Sequence, residues 1–232
     1  AAAATLLRRA YLDLTGLPPK IADLDAFLED DAPDRYEQAV DRLLASEAHA
    51  EHLTAHWLDV ARYADTQGYL VGNAERRFAY SHTYRDYVID AFNTDKPYDQ
   101  FIIEQLAADR LPDLSKDDPR LAALGFITVG KRFQNNDDTI DERIDATTKG
   151  FLGLTVACSR CHDHKFDAIS SRDYYALSGF LQSSDYRQVR FETIERERQV
   201  AGNLEQIDRK FQRTLRDKLS ELLDQVCDEV SS

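Results

Sequence analysis

The chain has 232 residues, with 29 lysines and arginines against 42 aspartates and glutamates, so its formal net charge at pH 7 is −13. This length suffices for one large domain, or one domain with an appendage, around a buried core. The acidic balance repels phosphate and disfavours a nucleic-acid partner. No apolar run approaches the roughly 18 residues of a membrane span, and three cysteines exclude a small scaffold held together by paired disulfides.

Helices are predicted along most of the chain, because apolar residues recur at spacings of three and four and there are only 9 glycines and 6 prolines. Gly16 and the two prolines after it are expected to end the first helix, and residues 65–80 are expected to be irregular. The predicted helices span about 1–14, 21–29, 35–45, 47–64, 84–92, 98–108, 119–129, 139–154 and 174–181. In the helix at 47–64 the predicted buried stripe is Leu53, Trp57, Val60, Ala61 and Ala64.

The composition changes near residue 187. From Val189 to Val230 there is no proline and one glycine, and apolar residues recur at spacings of three and four among many charges. This pattern predicts a long helix or a helical hairpin, similar to a coiled coil and packed on a partner surface. We therefore expect an irregular all-α domain at 1–186 and a helical connector at 187–232. Pairing of this connector with another copy of the chain is one of its possible uses.

The segment from Cys158 to His162 reads C-x-x-C-H, the attachment pattern of c-type haem. Residues three and four apart on a helical turn lie on the same side, so Cys158, Cys161 and His162 can face one flat group together. The two thiols would form thioethers to the porphyrin edge, and the His162 imidazole would bind the iron. The pattern predicts one covalently attached haem c.

Other chemistries also use a C-x-x-C pair. A redox disulfide of the thioredoxin type needs a βαβ context, which a helix-rich chain lacks. A zinc site needs a second C-x-x-C or H-x-x-x-H pair of ligands. Zinc and a thiol role are the alternatives to haem. Cys227 lies far from the motif and is expected to be a small side chain without a redox role.

The sixth iron position cannot be filled by methionine, because the chain has none. This excludes the His/Met ligation that raises the potential in many small cytochromes c. His49, His52 and His56 lie on one stripe of the helix predicted at 47–64. His56 is the preferred ligand, because it precedes Trp57 and a flat haem needs an apolar wall. The other candidates are His49, His52, His82, His164, a lysine, a tyrosine, or no protein ligand.

Charged residues near the motif also have expected roles. Arg62, together with Arg85 or Arg132, is a candidate to pair with haem propionates. His164 is badly placed to reach the other haem face, so it is expected to bond a propionate, a backbone carbonyl or a second metal. Five acidic residues around the motif lack the spacing of an EF-hand, so they are expected to be solvated or salt-bridged rather than bound to calcium. These acids are Asp141, Glu142, Asp145, Asp163 and Asp167.

Several stretches of the sequence resemble the planctomycete cytochrome c-associated domain family. They are residues 6–9, 13–19, 56–65, 84–89, 141–145, 152–155 and 158–167. The resemblance covers about residues 5–185, and it matches the family's haem motif to Cys158, Cys161 and His162 and its other recurrent histidines to His56 and His164. It implies a haem-bearing, exported domain within a large multidomain protein. The C-terminal helical stretch is similar to the connector that leads into the following domain of such proteins.

The function expected from these observations is electron transfer by a domain with one haem c and two histidine ligands, distinct in size from the small cytochrome c fold. The expected partners are a soluble redox protein or neighbouring domains of the same polypeptide, and the expected location is the periplasm or another exported compartment. One alternative is a haem enzyme with an open distal site, acting on peroxide or a similar oxidant. A structural or sensory haem module is the other alternative.

Overall fold

A computed structural model of the chain describes residues 2–66, 77–115, 118–130, 133, 135–184 and 194–231. Every regular element in these ranges is a helix, which confirms the all-α class, and the fold is not that of a small cytochrome c. An isolated β-bridge joins Thr66 to Arg77. The α-helices are α1 (Ala3–Thr15), α2 (Ile21–Glu29), α3 (Arg35–Leu44), α4 (Glu47–Val60), α5 (His82–Asn93), α6 (Tyr98–Ala107), α7 (Gly125–Thr128), α8 (Asn136–Leu152), α9 (Ser171–Gln182) and α10 (Ile194–Ser231). Shorter 3₁₀ segments lie at Ala108–Arg110, Pro119–Leu124 and Val156–Arg160.

The predicted helices occur close to their expected places. Gly16 ends α1 in the left-handed region with φ of 68°, where its N–H donates to the carbonyl of Leu12, as expected for a glycine just past a helix end. The Asn135 side chain caps α8 by accepting from the N–H of Asp137. The stretch 119–129, predicted as one helix, is a 3₁₀ segment followed by the short α7. Within the described part of the chain, no helix is long and apolar enough to cross a membrane.

Helix α4 differs most from its prediction. It ends at Val60 instead of Ala64, because Arg62 adopts a left-handed conformation with φ of 54°. The N–H of Tyr63 then donates to the carbonyl of Leu58, and the N–H of Arg62 donates to that of Asp59. These two bonds are the Schellman arrangement that usually has glycine at the left-handed position, so the sequence carries no glycine signal for this helix end.

The buried face of α4 also differs from the predicted stripe. Ala50 and Thr54 are buried, whereas Leu53 and Val60 are exposed. The expectation relied on side-chain size, but α4 packs against α1 and α5, and small residues on the shared face allow close approach of the helices. Trp57 and Ala61 lie in the core as predicted.

Three apolar clusters make up the described core. The largest surrounds Phe126, and its fully buried members are Ala61, Tyr84, Val88, Ala91, Phe101 and Phe126. A second cluster joins α8, α9 and the 3₁₀ segment through Ile140, Ile144, Val156 and Tyr174. A third joins the first three helices through Leu7, Phe27 and Ala39. The chain divides into two units, Ala1–Arg187 and Gln188–Ser232, and the second contains α10.

Candidate haem-attachment site

The C-x-x-C-H residues lie on and just after the 3₁₀ segment Val156–Arg160, which packs against α8 and α9. A 3₁₀ helix has three residues per turn, so side chains at i and i+3 are eclipsed on one side. Cys158 and Cys161 have this spacing, and the N–H of Cys161 donates to the carbonyl of Cys158. Both thiols are free and exposed to solvent. The turn therefore presents two unpaired thiols on one side of the backbone.

Arg160, between the two cysteines, anchors this turn to α8. Its guanidinium lies 2.9 Å from a carboxylate oxygen of Asp138 and 3.6 Å from one of Asp141. The Tyr174 hydroxyl of α9 donates to the same Asp141 carboxylate, at 2.5 Å. Burial, followed by this hydrogen bond, raises the pKa of the Tyr174 phenol, which keeps the hydroxyl protonated as a donor. The Tyr175 hydroxyl donates to the carbonyl of Arg160 at 3.0 Å, so the turn is held from both helices.

His162 is exposed, and a contact with a backbone carbonyl selects one tautomer of its neutral ring. Its Nδ1 lies 2.8 Å from the carbonyl oxygen of Asp163. A carbonyl can only accept, so the neutral ring carries its proton on Nδ1 and keeps the lone pair on Nε2. This is the arrangement of a histidine ready to bind a metal through Nε2, since a partner on the other ring nitrogen fixes the tautomer and raises the basicity of the ligand.

His164 has the opposite arrangement. Its side chain is only 7% exposed, and its Nδ1 accepts from the backbone N–H groups of Asp167 at 2.9 Å and of Phe166 at 3.4 Å. Both N–H groups can only donate, so the neutral ring carries its proton on Nε2. The Asp167 carboxylate, 3.1 Å from Nδ1, would form an ion pair only with a doubly protonated ring. His164 is therefore arranged as a donor through Nε2, which fits its predicted bond to a propionate or a carbonyl better than a role as a metal ligand.

The residues present fit a covalently attached haem. The donor set comprises two accessible thiols and an imidazole with a free Nε2, which are the groups that such a haem requires. The loop after His162 also exposes an apolar ring, because Phe166 is 83% accessible and lies beneath the Lys165 ammonium at 5.1 Å from the ring centre. Single exposed apolar side chains are normal on protein surfaces, so the fit depends on the two thiols and the imidazole.

His56 is exposed on α4, and its described neighbour is His52, with ring centres 4.8 Å apart. The His52 ring rests against Gly16, where a Cβ atom would lie 2.7 Å from Nδ1. His49 donates from Nδ1 to the carbonyl of Leu14 at 2.8 Å, so it joins α4 to α1. Trp57, the predicted wall for the haem, is fixed inside the core, where its indole N–H contacts Tyr84 and Gln105. His56 as the sixth ligand stays a prediction.

Arg62 holds α4, α7 and α8 together. Its guanidinium lies 2.5 Å from the Glu142 carboxylate, donates to the Glu142 and Phe126 carbonyls at 3.1 and 2.9 Å, and stacks over the Phe126 ring. Burial raises the pKa of Glu142, and Arg62 opposes this shift only in part. A propionate would have to compete with these partners, so Arg62 as a propionate ligand stays a prediction. Of the other predicted propionate partners, Arg132 lies outside the described residues and Arg85 is exposed.

Four of the five acidic residues around the motif form ion pairs or accept a backbone N–H at a helix start, and Asp167 is the exception. Asp145 pairs with Lys149 at 2.6 Å, and the Asp163 carboxylate accepts from the N–H of Ser171 at 2.9 Å near the start of α9. Asp141 and Glu142 have the arginine partners described above. Among the residues that the structure describes, no group of three or more histidines, cysteines and acids is arranged to hold a metal ion.

Sequence reasoning missed two contributors to the site, the Asp163 carbonyl on His162 and the Tyr174 hydroxyl on Asp141. A backbone carbonyl leaves no trace in the sequence. The contact of Tyr174 with Asp141 had only a partial signal in the sequence. Asp141 shares a helix face with Asp145, and Arg160 lies between the two cysteines, so these charges were visible near the motif. Only the packing of α9 on α8 shows that these charges meet.

Comparison with known proteins gives a family but no function. Residues 1–186 match the model of PSCyt2, a planctomycete-type domain family described as "Protein of unknown function (DUF1549)". No curated protein and no solved structure matches the chain.

Proposed function

The chain belongs to the PSCyt2 family, and from that premise we propose that residues 1–186 bind one haem c through Cys158, Cys161 and His162. We further propose that this domain transfers electrons within a larger exported protein. The family description names no function, so the proposal rests on the C-x-x-C-H motif and on the geometry of the residues around it.

The observation that carries the proposal is the tautomer of His162. Its Nδ1–H is donated to the Asp163 carbonyl, which leaves Nε2 free on the residue directly after Cys161. His49 has the same tautomer through its bond to the Leu14 carbonyl, so the tautomer of His162 matters because of where this residue lies. Here the ring is held in the form that binds iron, beside two exposed thiols at i and i+3.

The side chains around the motif support rapid electron exchange by restricting movement. When bound, the haem supplies an iron that gains or loses one electron. Arg160 is held by α8 and α9, and the Asp163 carboxylate is tied to the backbone near the start of α9. Because these anchors hold the turn in place, His162 can keep its position in both oxidation states, and little structural rearrangement opposes the transfer.

The cellular location follows from the proposed attachment. Covalent haem is added outside the cytoplasm, so a domain that carries it is expected in the periplasm or in another exported compartment. The acidic surface of the chain suits a soluble redox partner that docks through a basic patch. Neighbouring domains of the same polypeptide are the other expected electron partners.

Attachment is tested by producing the protein together with haem-maturation machinery and measuring its intact mass under denaturing conditions. The wild-type chain should retain one haem, and a Cys158→Ser/Cys161→Ser double variant should lose covalent haem. Cys227→Ser removes a thiol elsewhere and should retain haem. Bare polypeptide from the wild type would overturn the proposal and favour a zinc or thiol site.

The sixth ligand separates electron transfer from the second candidate function, catalysis at an open haem site. If His56 occupies the sixth coordination position of the iron, the ferrous wild type should not bind carbon monoxide, whereas ferrous His56→Ala should bind it. His82→Ala, which removes another exposed histidine, should behave as the wild type. Rapid binding by the wild type would instead favour an open site, where His56 with Asp59 or Arg62 could handle protons. A spectrum unchanged by His56→Ala would show that another group, or none, is the sixth ligand.

A further inference from the structure

Helix α10 exposes a continuous apolar stripe along its described side chains. The stripe residues are 43% to 65% accessible, although a helix in water gains most of its stability by burying its apolar face. They are Val200, Leu204, Ile207, Phe211, Leu215, Leu219 and Leu222. Leu204 and Leu222 are 18 residues apart, which is about five turns at 3.6 residues per turn, so the stripe runs nearly straight along the helix. A straight partner helix is the shape that would cover it.

The stripe is symmetric about its own centre. From Leu204 to Leu222 the spacings are 3, 4, 4, 4 and 3, so the pattern reads the same in both directions about position 213. An antiparallel second copy centred there would place Leu204 opposite Leu222 and Ile207 opposite Leu219. Phe211 would lie opposite Leu215. Each of these apolar residues thus meets another apolar residue, and the pairing is reciprocal, as an isologous two-fold interface requires.

Two charged residues within the stripe favour the antiparallel direction. Asp208 lies between Leu204 and Phe211, and Lys218 lies at the symmetric position between Leu215 and Leu222. In the antiparallel register, Asp208 of one copy faces Lys218 of the other, on both sides of the two-fold axis. A parallel, in-register pair would place Asp208 against Asp208 and Lys218 against Lys218, and like charges at such positions oppose pairing.

From the stripe, its symmetry and these charges, we propose that α10 pairs with α10 of a second copy as an antiparallel two-helix interface centred at residue 213. The occupant of the stripe is therefore another molecule of this chain. This inference is independent of haem binding, and its test uses oligomeric state, which haem content does not report.

The test is sedimentation equilibrium of the full chain under reducing conditions over a wide concentration range. The wild type should form a dimer. Leu215→Glu puts a charge into the centre of the interface and should raise the dimer dissociation constant by at least about tenfold. Ser220→Glu adds the same charge to the opposite face of α10 and should leave the dissociation constant unchanged. A wild type that is monomeric at every concentration would overturn the proposal and assign the stripe to a different partner. A dimer that Leu215→Glu does not weaken would also overturn it and would assign the dimer to a different surface.

The relative direction of the two α10 helices is tested by a charge swap that leaves the apolar residues unchanged. Asp208→Lys and Lys218→Glu should each weaken the dimer, and the double variant should restore it, because each altered residue again faces the opposite charge. Lys218 contacts Glu221 on its own helix, but that contact is lost both in Lys218→Glu and in the double variant, so the rescue does not depend on it. In a parallel dimer the double variant still faces like charges, so failure of the rescue would overturn the antiparallel arrangement.

Discussion

Asp163 supports the motif with two different atoms. Its carbonyl oxygen holds the proton on Nδ1 of His162, while its carboxylate accepts a backbone N–H near the start of α9. A carboxylate near a helix N-terminus is also favoured by the helix dipole. One residue therefore couples the orientation of the proposed iron ligand to the position of a helix.

At the same scale, Arg62 and Glu142 combine backbone strain with a partly buried charge. A left-handed conformation costs a non-glycine residue about 1 kcal/mol or more. Arg62 tolerates it because its guanidinium reaches the Glu142 carboxylate and two carbonyls on other helices. Glu142 in turn lies where burial raises its pKa, so the contact that ends α4 makes stability depend on pH.

Substitution of Glu142 by glutamine should therefore change the pH dependence of stability. The pKa of Glu142 is higher in the folded state than in the unfolded state, so the folded state binds this proton more tightly. The resulting stabilisation is fully present below the usual pKa of 4.5, and it is lost as the pH rises through the raised pKa of the folded state. As the pH falls from neutral towards 4.5, the wild type should gain free energy of unfolding relative to Glu142→Gln. Urea denaturation across this range measures the difference, with Glu51→Gln, on the exposed side of α4, as the control. Parallel pH profiles of wild type and Glu142→Gln would contradict the assignment.

At the scale of elements, α8 connects the motif to the main core. Its adjacent residues Asp141 and Glu142 point to different neighbours, the first to Arg160 and Tyr174 and the second to Arg62. The Ile140 and Ile144 side chains pack in the same cluster as Val156, which begins the 3₁₀ turn. The position of the proposed haem site thus depends on how α8 packs.

Alanine substitutions at two glycines test how closely the helices pack. At Gly125, which begins α7, a Cβ atom would lie 2.4 Å from the buried Tyr84 side chain, so Gly125→Ala should lower the free energy of unfolding by about 1–3 kcal/mol. Gly179 in α9 has no heavy atom within 4 Å of that position, so Gly179→Ala should raise it by about 0.5–1 kcal/mol through higher helix propensity. Chemical denaturation measures both. Equal effects of the two substitutions would contradict the close approach of α7 to α5.

At the scale of the whole molecule, the charge of −13 creates a long-range negative field. Such a field steers oppositely charged proteins towards the surface and repels acidic ones, and added salt screens both effects. A domain that exchanges electrons with a soluble partner would use this field mainly to raise its association rate.

The second-order rate of electron transfer with a basic, soluble redox protein should therefore fall as the ionic strength rises. Stopped-flow absorbance of the haem-loaded chain measures this rate at low and high salt. An acidic redox protein of similar potential is the control, and its rate should rise with salt as repulsion is screened. A rate with the basic protein that is insensitive to salt would show that the overall charge does not guide docking.

Much of the fold could be predicted from local patterns. The bounds of α2 agree with the apolar spacing at 21–29, and the glycine signal at the end of α1 acts as expected. These features depend on neighbours within a few residues, so a single sequence contains them. The end of α4 does not, because Arg62 takes a glycine-like conformation only when contacts from α7 and α8 hold its guanidinium.

By itself, the sequence determined the helical class, the spacing of two cysteines and a histidine, and the symmetric apolar stripe of α10, because each follows from the order of residues along one helix or turn. Tertiary structure alone decided which nitrogen of His162 is free, which acids meet Arg160, and which face of α4 is buried. Those outcomes depend on atoms that are distant in sequence, such as a hydroxyl from α9, or on a backbone carbonyl, which every residue possesses. The physical reason is that hydrogen bonds and close packing are set by positions in space, and neighbouring residues specify those positions only within their own element.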